Sequence, residues 1–71
     1  MFFMIRRIAV HRVIIGGKVI PMCVVGIENN GIVAFYESFS GEPPFTEWIG
    51  GTVVLGKDEW GRMVIEKYED S

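Results

Sequence analysis

A chain of 71 residues with a formal net charge of −2 has room for one hydrophobic core, so we treat residues 1–71 as a single domain. Hydrophobic residues make up 49% of the chain, which excludes intrinsic disorder, because disordered segments combine low hydrophobicity with high net charge. The small net charge gives no general attraction for nucleic acid, and one cysteine with one histidine completes neither a disulfide nor a structural zinc site.

Short runs of Val, Ile, Phe, Tyr and Thr, interrupted by Gly and Pro, predict β-strands along most of the chain. In chain order, the predicted strands are residues 4–15, 18–28, 32–37, 52–55 and 62–68. In the first of them, alternate positions favour a strand over a helix. These positions are Ile8, Val10, Arg12 and Ile14.

Glycine and proline predict how the strands are joined and where they bend. Gly16-Gly17 predicts a tight turn, and Asn30-Gly31 predicts a type I′ hairpin, which needs positive φ at both central residues. Pro21 predicts an edge position or a bulge in the second strand, because proline has no backbone N–H to donate to a neighbouring strand.

The middle of the chain has the composition of a loop. Residues 38–44 are rich in Ser, Gly and Pro, and residues 45–49 are predicted to form either one helical turn capped by Thr46 or an extended segment. Gly50-Gly51 ends that segment. The predicted fold is therefore all-β, a small curled sheet or partly open barrel of about five mostly antiparallel strands.

The first half of the chain has a characteristic order of strand, glycine turn, strand, Asn-Gly turn and strand. Its segments are Val13-Ile14-Ile15, Gly16-Gly17-Lys18-Val19-Ile20 and Val24-Val25-Gly26-Ile27-Glu28-Asn29-Asn30-Gly31-Ile32-Val33-Ala34-Phe35. This order resembles the opening of amidohydrolase-type metal-dependent hydrolases, in which a small β domain flanks a catalytic barrel. The resemblance covers somewhat under half of the chain.

The resemblance implies a fold and no activity of the chain on its own. In that family, the segment leads into a strand that carries the first metal ligands in a His-x-His pattern, whereas His11 is the only histidine here. No catalytic residue, cofactor site or metal ligand of the family is therefore assigned to any position. The resemblance implies the accessory β domain standing alone, without the barrel.

Cysteine and histidine chemistry is not expected at either of the single residues of these types. Cys23 lies in an apolar run and is expected to be a small buried hydrophobic residue rather than a nucleophile. His11 is expected to be a surface or partly buried strand residue.

The most distinctive stretch is residues 42–48, which contains two prolines and two large aromatic side chains. The prolines fix an extended backbone that either presents the aromatic side chains to a partner or folds back so that they cover the core. The predicted interaction surface comprises Pro43, Pro44, Phe45, Trp48 and Trp60.

We expect a non-catalytic interaction or oligomerisation module, because so apolar a short chain leaves hydrophobic surface exposed. The expected partner is a second copy or a larger protein, with no nucleic acid and no membrane, and the expected location is the cytoplasm, since a free cysteine suits a reducing compartment. Two alternatives stay open. One is the accessory β subunit of a split metal-dependent hydrolase, and the other is a small nucleic-acid-binding barrel that stacks bases on its aromatic residues.

Overall fold

The computed structural model describes residues 5–41 and 43–70, and its named strands form one sheet. The strands are β1 Ile5–Ile15, β2 Lys18–Glu28, β3 Val33–Ser38, β4 Glu47–Trp48, β5 Thr52–Lys57 and β6 Met63–Glu69. Their order is β3-β2-β1-β5-β6, and β4 also pairs with β1. The predicted all-β class and small curled sheet are confirmed. A membrane-spanning helix is absent from the described residues.

Strands that are joined by a hairpin pair antiparallel, whereas two later strands pair parallel with β1. Strand β1 pairs antiparallel with β2, β2 with β3, and β5 with β6. By contrast, β4 and β5 both run parallel to β1, with Glu47 opposite Ile8 and Thr52 opposite Arg12. Residues 47–48 and 52–54 therefore pair in turn with the same side of β1, and they are separated by Gly50-Gly51, where φ is +71° and +74°.

The helical-turn alternative for residues 45–49 is wrong, because Phe45 lies in a turn and the segment continues as strand β4. A turn at Pro44 and Phe45 leads into β4. The backbone N–H groups of Ile49 and Gly50 both donate to the carbonyl oxygen of Ala9, at 3.0 and 3.1 Å. Pairing with the free side of β1 satisfies these backbone groups, which a single helical turn would leave largely unpaired.

The core lies on one face of the curled sheet and consists mainly of β-branched side chains. Its buried members are Ile8, Val10, Val13, Cys23, Val25, Val33, Val53 and Leu55. The alternation in β1 shifts by one residue after Val10, where the backbone N–H groups of His11 and Arg12 both donate to the carbonyl oxygen of Gly51, at 2.9 and 3.2 Å, and where Met22 of the neighbouring β2 has φ +51°. At this irregularity Arg12 is exposed and Val13 lies in the core.

The sheet curls far enough for its two ends to meet at one point. A single antiparallel bridge joins Ile32, just before β3, to Val64 of β6. Strand β3 pairs only with residues 23–27 of β2, so residues 18–22 of β2 have β1 on one side and no described strand on the other. Pro21 lies in that part, which confirms the predicted edge position.

The turns agree with the prediction in one hairpin and differ in the other. Gly16 and Gly17 both have positive φ, as predicted. At the second hairpin only Gly31 does, so the type I′ prediction is wrong. The N–H of Gly31 donates to the carbonyl of Glu28, and Glu28 donates to Ile32, which makes a three-residue loop that ends in a left-handed glycine.

Candidate functional site

A second apolar layer lies on the face of the sheet opposite the core. Ala9 is placed between Ile8 and Val10 of the core, so its side chain faces away from the core, and it pairs with Val24 of β2. Both Ala9 and Val24 are only 1% exposed. Since neither belongs to the core, the outer face of β1 and β2 is itself covered at this point.

The segment after β3 passes over this outer face and lines one side of an open cleft of about 220 Å³. The backbone N–H of Phe39 donates to the carbonyl oxygen of Met22 at 3.0 Å, which ties the start of the crossing segment to β2. Strand β4 ties its end to β1. The cleft is lined by Ala9, Met22, Phe39, Gly41, Pro43, Thr46 and Trp48.

Trp48 forms one wall of the cleft and is fixed by two edge-on ring contacts. Its ring lies 5.0 Å from the ring of His11 and 6.3 Å from that of Phe39, with the planes nearly perpendicular in both cases. Such edge-to-face pairs are each worth about 0.5–1.5 kcal/mol beyond the burial of area. The indole is nevertheless 51% exposed, so a substantial part of its surface faces solvent.

The link between β4 and β5 is held from both sides, which fixes where Trp48 stands. The backbone N–H of Gly51 donates to Nδ1 of His11 at 3.0 Å. From the other side, the hydroxyl of Tyr68 lies 3.4 Å from the carbonyl oxygen of Ile49 and 3.3 Å from that of Gly50.

Phe45 stands beside the cleft with almost no contact to the rest of its chain. Its side chain is 97% exposed, and its backbone has φ +52°, a left-handed conformation that costs a residue with a Cβ about 1–2 kcal/mol. The neighbouring turn is held by the Thr46 hydroxyl, which donates to the carbonyl of Pro44 at 2.9 Å. In the described part of the chain, the other non-glycine residue with positive φ is Met22, which lines the cleft. Backbone strain of this kind concentrates at functional sites.

Two ion pairs join the N-terminal part of β1 to neighbouring strands, one on each face of the sheet. Arg6 contacts Glu47 at 2.8 Å, and both side chains are exposed. Arg7 lies 3.7 Å from Glu37 and stacks over the ring of Phe35, with its guanidinium carbon 5.4 Å from the ring centroid. Because Glu47 is paired with Ile8 and Glu37 with Val24, the Arg6–Glu47 pair lies on the core side of the sheet and the Arg7–Glu37 pair lies on the outer side.

The structure brings together four of the five residues predicted as an interaction surface. Pro43 and Trp48 line the cleft, and Pro44 and Phe45 form the adjoining turn. Trp60 lies elsewhere, in the turn between β5 and β6, because β5 continues along β1 away from β4. There it is 72% exposed, and the guanidinium of Arg62 stacks 5.0 Å from its ring centroid.

The turn that carries Trp60 is organised by Asp58. One carboxylate oxygen accepts hydrogen bonds from the backbone N–H groups of Trp60 and Arg62, at 2.9 and 2.8 Å, and the other accepts one from the Arg62 side chain at 2.8 Å. Desolvation raises the pKa of Asp58, but these hydrogen bonds and the charge of Arg62 outweigh it and hold the pKa below its usual value.

Cys23 and His11 lie in separate surroundings. The thiol of Cys23 is fully buried and 3.8 Å from the carbonyl oxygen of Ile20, and burial raises its pKa, which disfavours the reactive thiolate. His11 bonds instead to Gly51. Among residues 5–41 and 43–70, no three His, Cys, Asp or Glu side chains are grouped as metal ligands would be.

Five residues that line the cleft were not predicted from the sequence. They are Ala9, Met22, Phe39, Gly41 and Thr46. For Ala9, one signal exists in the sequence, because the runs Ile8-Ala9-Val10 and Cys23-Val24-Val25 are apolar without alternation. An unbroken apolar run indicates a strand that is covered on both faces.

No protein-family model, curated protein or solved structure matches the chain. The resemblance to the β domain of amidohydrolases stays a hypothesis.

Proposed function

We propose that the chain is a non-catalytic interaction module that binds a protein partner through the cleft and the turn beside it. We call this area the cleft surface and define it by Met22, Phe39, Pro43, Phe45 and Trp48. The observation that carries the proposal is the Phe45 side chain, which is almost fully exposed on a strained backbone beside an apolar cleft.

The energetics of binding favour this surface over the rest of the described exterior. Large aromatic side chains bury about 150–250 Å² each, and they dominate the binding energy of protein interfaces. Phe45 contributes nothing to its own core, and Trp48 is held rigidly by His11 and Phe39, so little side-chain entropy is lost when a partner covers it.

The proposed partner is a protein rather than a nucleic acid. The net charge of −2 gives the chain no general attraction for the phosphates of a nucleic acid. The proposed location is the cytoplasm, where a reducing environment suits the free Cys23.

Photo-crosslinking in living cells tests the proposal, because it captures a protein partner whatever its identity. A benzophenone amino acid replaces Phe45 in one variant and Trp60 in the other. Trp60 is the matched control, because it is an exposed aromatic residue on another turn. We expect discrete crosslinked species from position 45 and none from position 60. Equal yields from both positions, or no product from position 45, would contradict the proposal.

A further inference from the structure

We infer that the partner is a second copy of this chain, and that each copy inserts Phe45 into the cleft of the other. This inference rests on the proposed function and identifies the occupant of the cleft surface. It starts from two features that stand side by side on one molecule: an apolar cleft and a projecting aromatic side chain that does not enter it.

The symmetry of such a contact follows from the position of the two features. Phe45 is joined by one peptide bond to the lining residue Thr46, so its side chain stands free at the edge of the cleft. When two copies face each other across a two-fold axis, each Phe45 is placed over the cleft of the other copy. The contact uses the same patch on both subunits and closes after two copies, as in most soluble homodimers.

The size of the cleft fits one aromatic ring. An apolar cavity of about 150 Å³ in another protein binds benzene and excludes water. The cleft here measures about 220 Å³, and Met22, Phe39, Pro43 and Trp48 give it an apolar lining. A phenyl group therefore fits, whereas an extended peptide with several side chains does not fit inside it.

The charges on the outer face also suit a second copy. Arg7 and Glu37 lie there with opposite charges 3.7 Å apart. Across a two-fold axis, Arg7 of one copy can therefore pair with Glu37 of the other. An interface of standard size, about 800 Å² from each partner, would cover roughly one sixth of the 4996 Å² accessible surface of this chain.

Sedimentation equilibrium of the purified chain tests the inference, with Phe45→Gly as the decisive variant. Glycine adopts the positive φ of this position without strain, and the Phe45 side chain makes almost no intramolecular contact, so the variant should fold as well as the wild type. We expect a wild-type dimer whose dissociation constant rises by about tenfold or more in Phe45→Gly, as is typical when an interface hot spot is removed. Trp60→Ala, the control, should leave the dissociation constant unchanged.

Mixing two variants tests whether the contact is reciprocal. Phe45→Gly keeps the cleft and lacks the inserted side chain, whereas Trp48→Ala keeps the side chain and lacks one wall of the cleft. With a fluorophore on one variant, the mixture should associate more tightly than either variant does alone, because one intact contact is restored. Equal association of the mixture and the separate variants would overturn the reciprocal insertion.

The outcomes separate this inference from the proposed function. A monomer at every concentration, together with crosslinks from position 45 to a different protein, would overturn the second copy as partner and leave the interaction module standing. A monomer without any such crosslink would overturn both. A dimer that Phe45→Gly does not weaken would show that the chain associates through another surface and would overturn the role of Phe45.

Discussion

The imidazole of His11 makes two contacts that connect β1 to the wall of the cleft. Its ring meets Trp48 edge-on with the centroids 5.0 Å apart, and its Nδ1 accepts a hydrogen bond from Gly51 at 3.0 Å. One side chain of β1 therefore fixes both the last residue of β4 and the residue that precedes β5. The orientation of Trp48 depends on this connection.

Replacing His11 should destabilise the fold and loosen Trp48. In His11→Ala, the buried N–H of Gly51 loses its acceptor, which costs about 1–3 kcal/mol, and the ring contact with Trp48 is lost as well. We expect a lower free energy of unfolding in urea and a shifted emission of Trp48, measured in a Trp60→Phe background.

The variant His11→Asn separates the two contacts. The side-chain oxygen of asparagine stands close to the position of Nδ1 and can accept the hydrogen bond from Gly51, but it offers no ring to Trp48. The free energy of unfolding should regain most of what His11→Ala loses through the missing hydrogen bond, while the emission of Trp48 should stay shifted. A variant no more stable than His11→Ala would show that the hydrogen bond contributes little.

Two glycines with similar backbone angles should respond differently to alanine. Gly16 has φ +55° with nothing near an added Cβ, so Gly16→Ala should cost only the strain of the left-handed conformation, about 1–2 kcal/mol. At Gly51, with φ +74°, the added Cβ would also stand 2.6 Å from the backbone oxygen of Glu69. We expect Gly51→Ala to cost about 1–3 kcal/mol more, the usual penalty of overpacking. Equal losses of unfolding free energy in the two variants, measured in urea, would contradict the close contact between Gly51 and Glu69 of β6.

Gly26 should tolerate no side chain while Phe35 is present. An added Cβ at this position would overlap Cε1 of Phe35, whose ring crosses the glycine and stacks under Arg7. Gly26→Ala should therefore cost about 1–3 kcal/mol by displacing the ring. In a double-mutant cycle with Phe35→Ala, the two losses should sum to more than the loss in the double variant, because the second substitution removes the clash. Losses of unfolding free energy that simply add in the double variant would contradict the contact between Gly26 and the ring of Phe35.

Asp58 should make the fold sensitive to acid. Because the pKa of Asp58 is lower in the folded chain than its ordinary value of 3.8, its contribution to stability is present above pH 3.8 and is lost as the pH falls through the lower, folded pKa. Asp58→Asn keeps an acceptor for the backbone N–H groups but has no charge to titrate. As the pH falls below 3.8, the free energies of unfolding in urea of the wild type and of Asp58→Asn should therefore converge. A difference that stays constant with pH would contradict the lowered pKa of Asp58.

The hairpins could be predicted because local chemistry decides them. Gly16-Gly17, Asn30-Gly31 and the stretch before Arg62 place turns between β-branched runs, and the structure has a hairpin at each. The turn type at Asn30 was less predictable, because the Asn30 side chain accepts a hydrogen bond from Ile32 and stabilises a three-residue loop without positive φ at Asn30. Either loop suits the same two residues.

The parallel part of the sheet and the cleft could not be predicted from local patterns. Strand β4 has two residues, and its pairing with β1 depends on contacts between residues far apart in sequence, such as Ile8 and Glu47. No local alternation of apolar and polar residues predicts such a pairing. The shift of the alternation at His11 likewise coincides with hydrogen bonds to the distant carbonyl of Gly51. The position of Phe45 beside the cleft follows from this long-range arrangement, although Phe45 was predicted from the sequence as part of an interaction surface.

The most direct test of the proposed contact surface is a concentration series of amide NMR spectra from micromolar to millimolar protein. We predict that the amide signals of Met22, Phe39, Phe45 and Trp48 shift together as the concentration rises, while those of Trp60 and its turn do not. Spectra that are independent of concentration, or shifts centred on the turn of Trp60, would contradict this prediction.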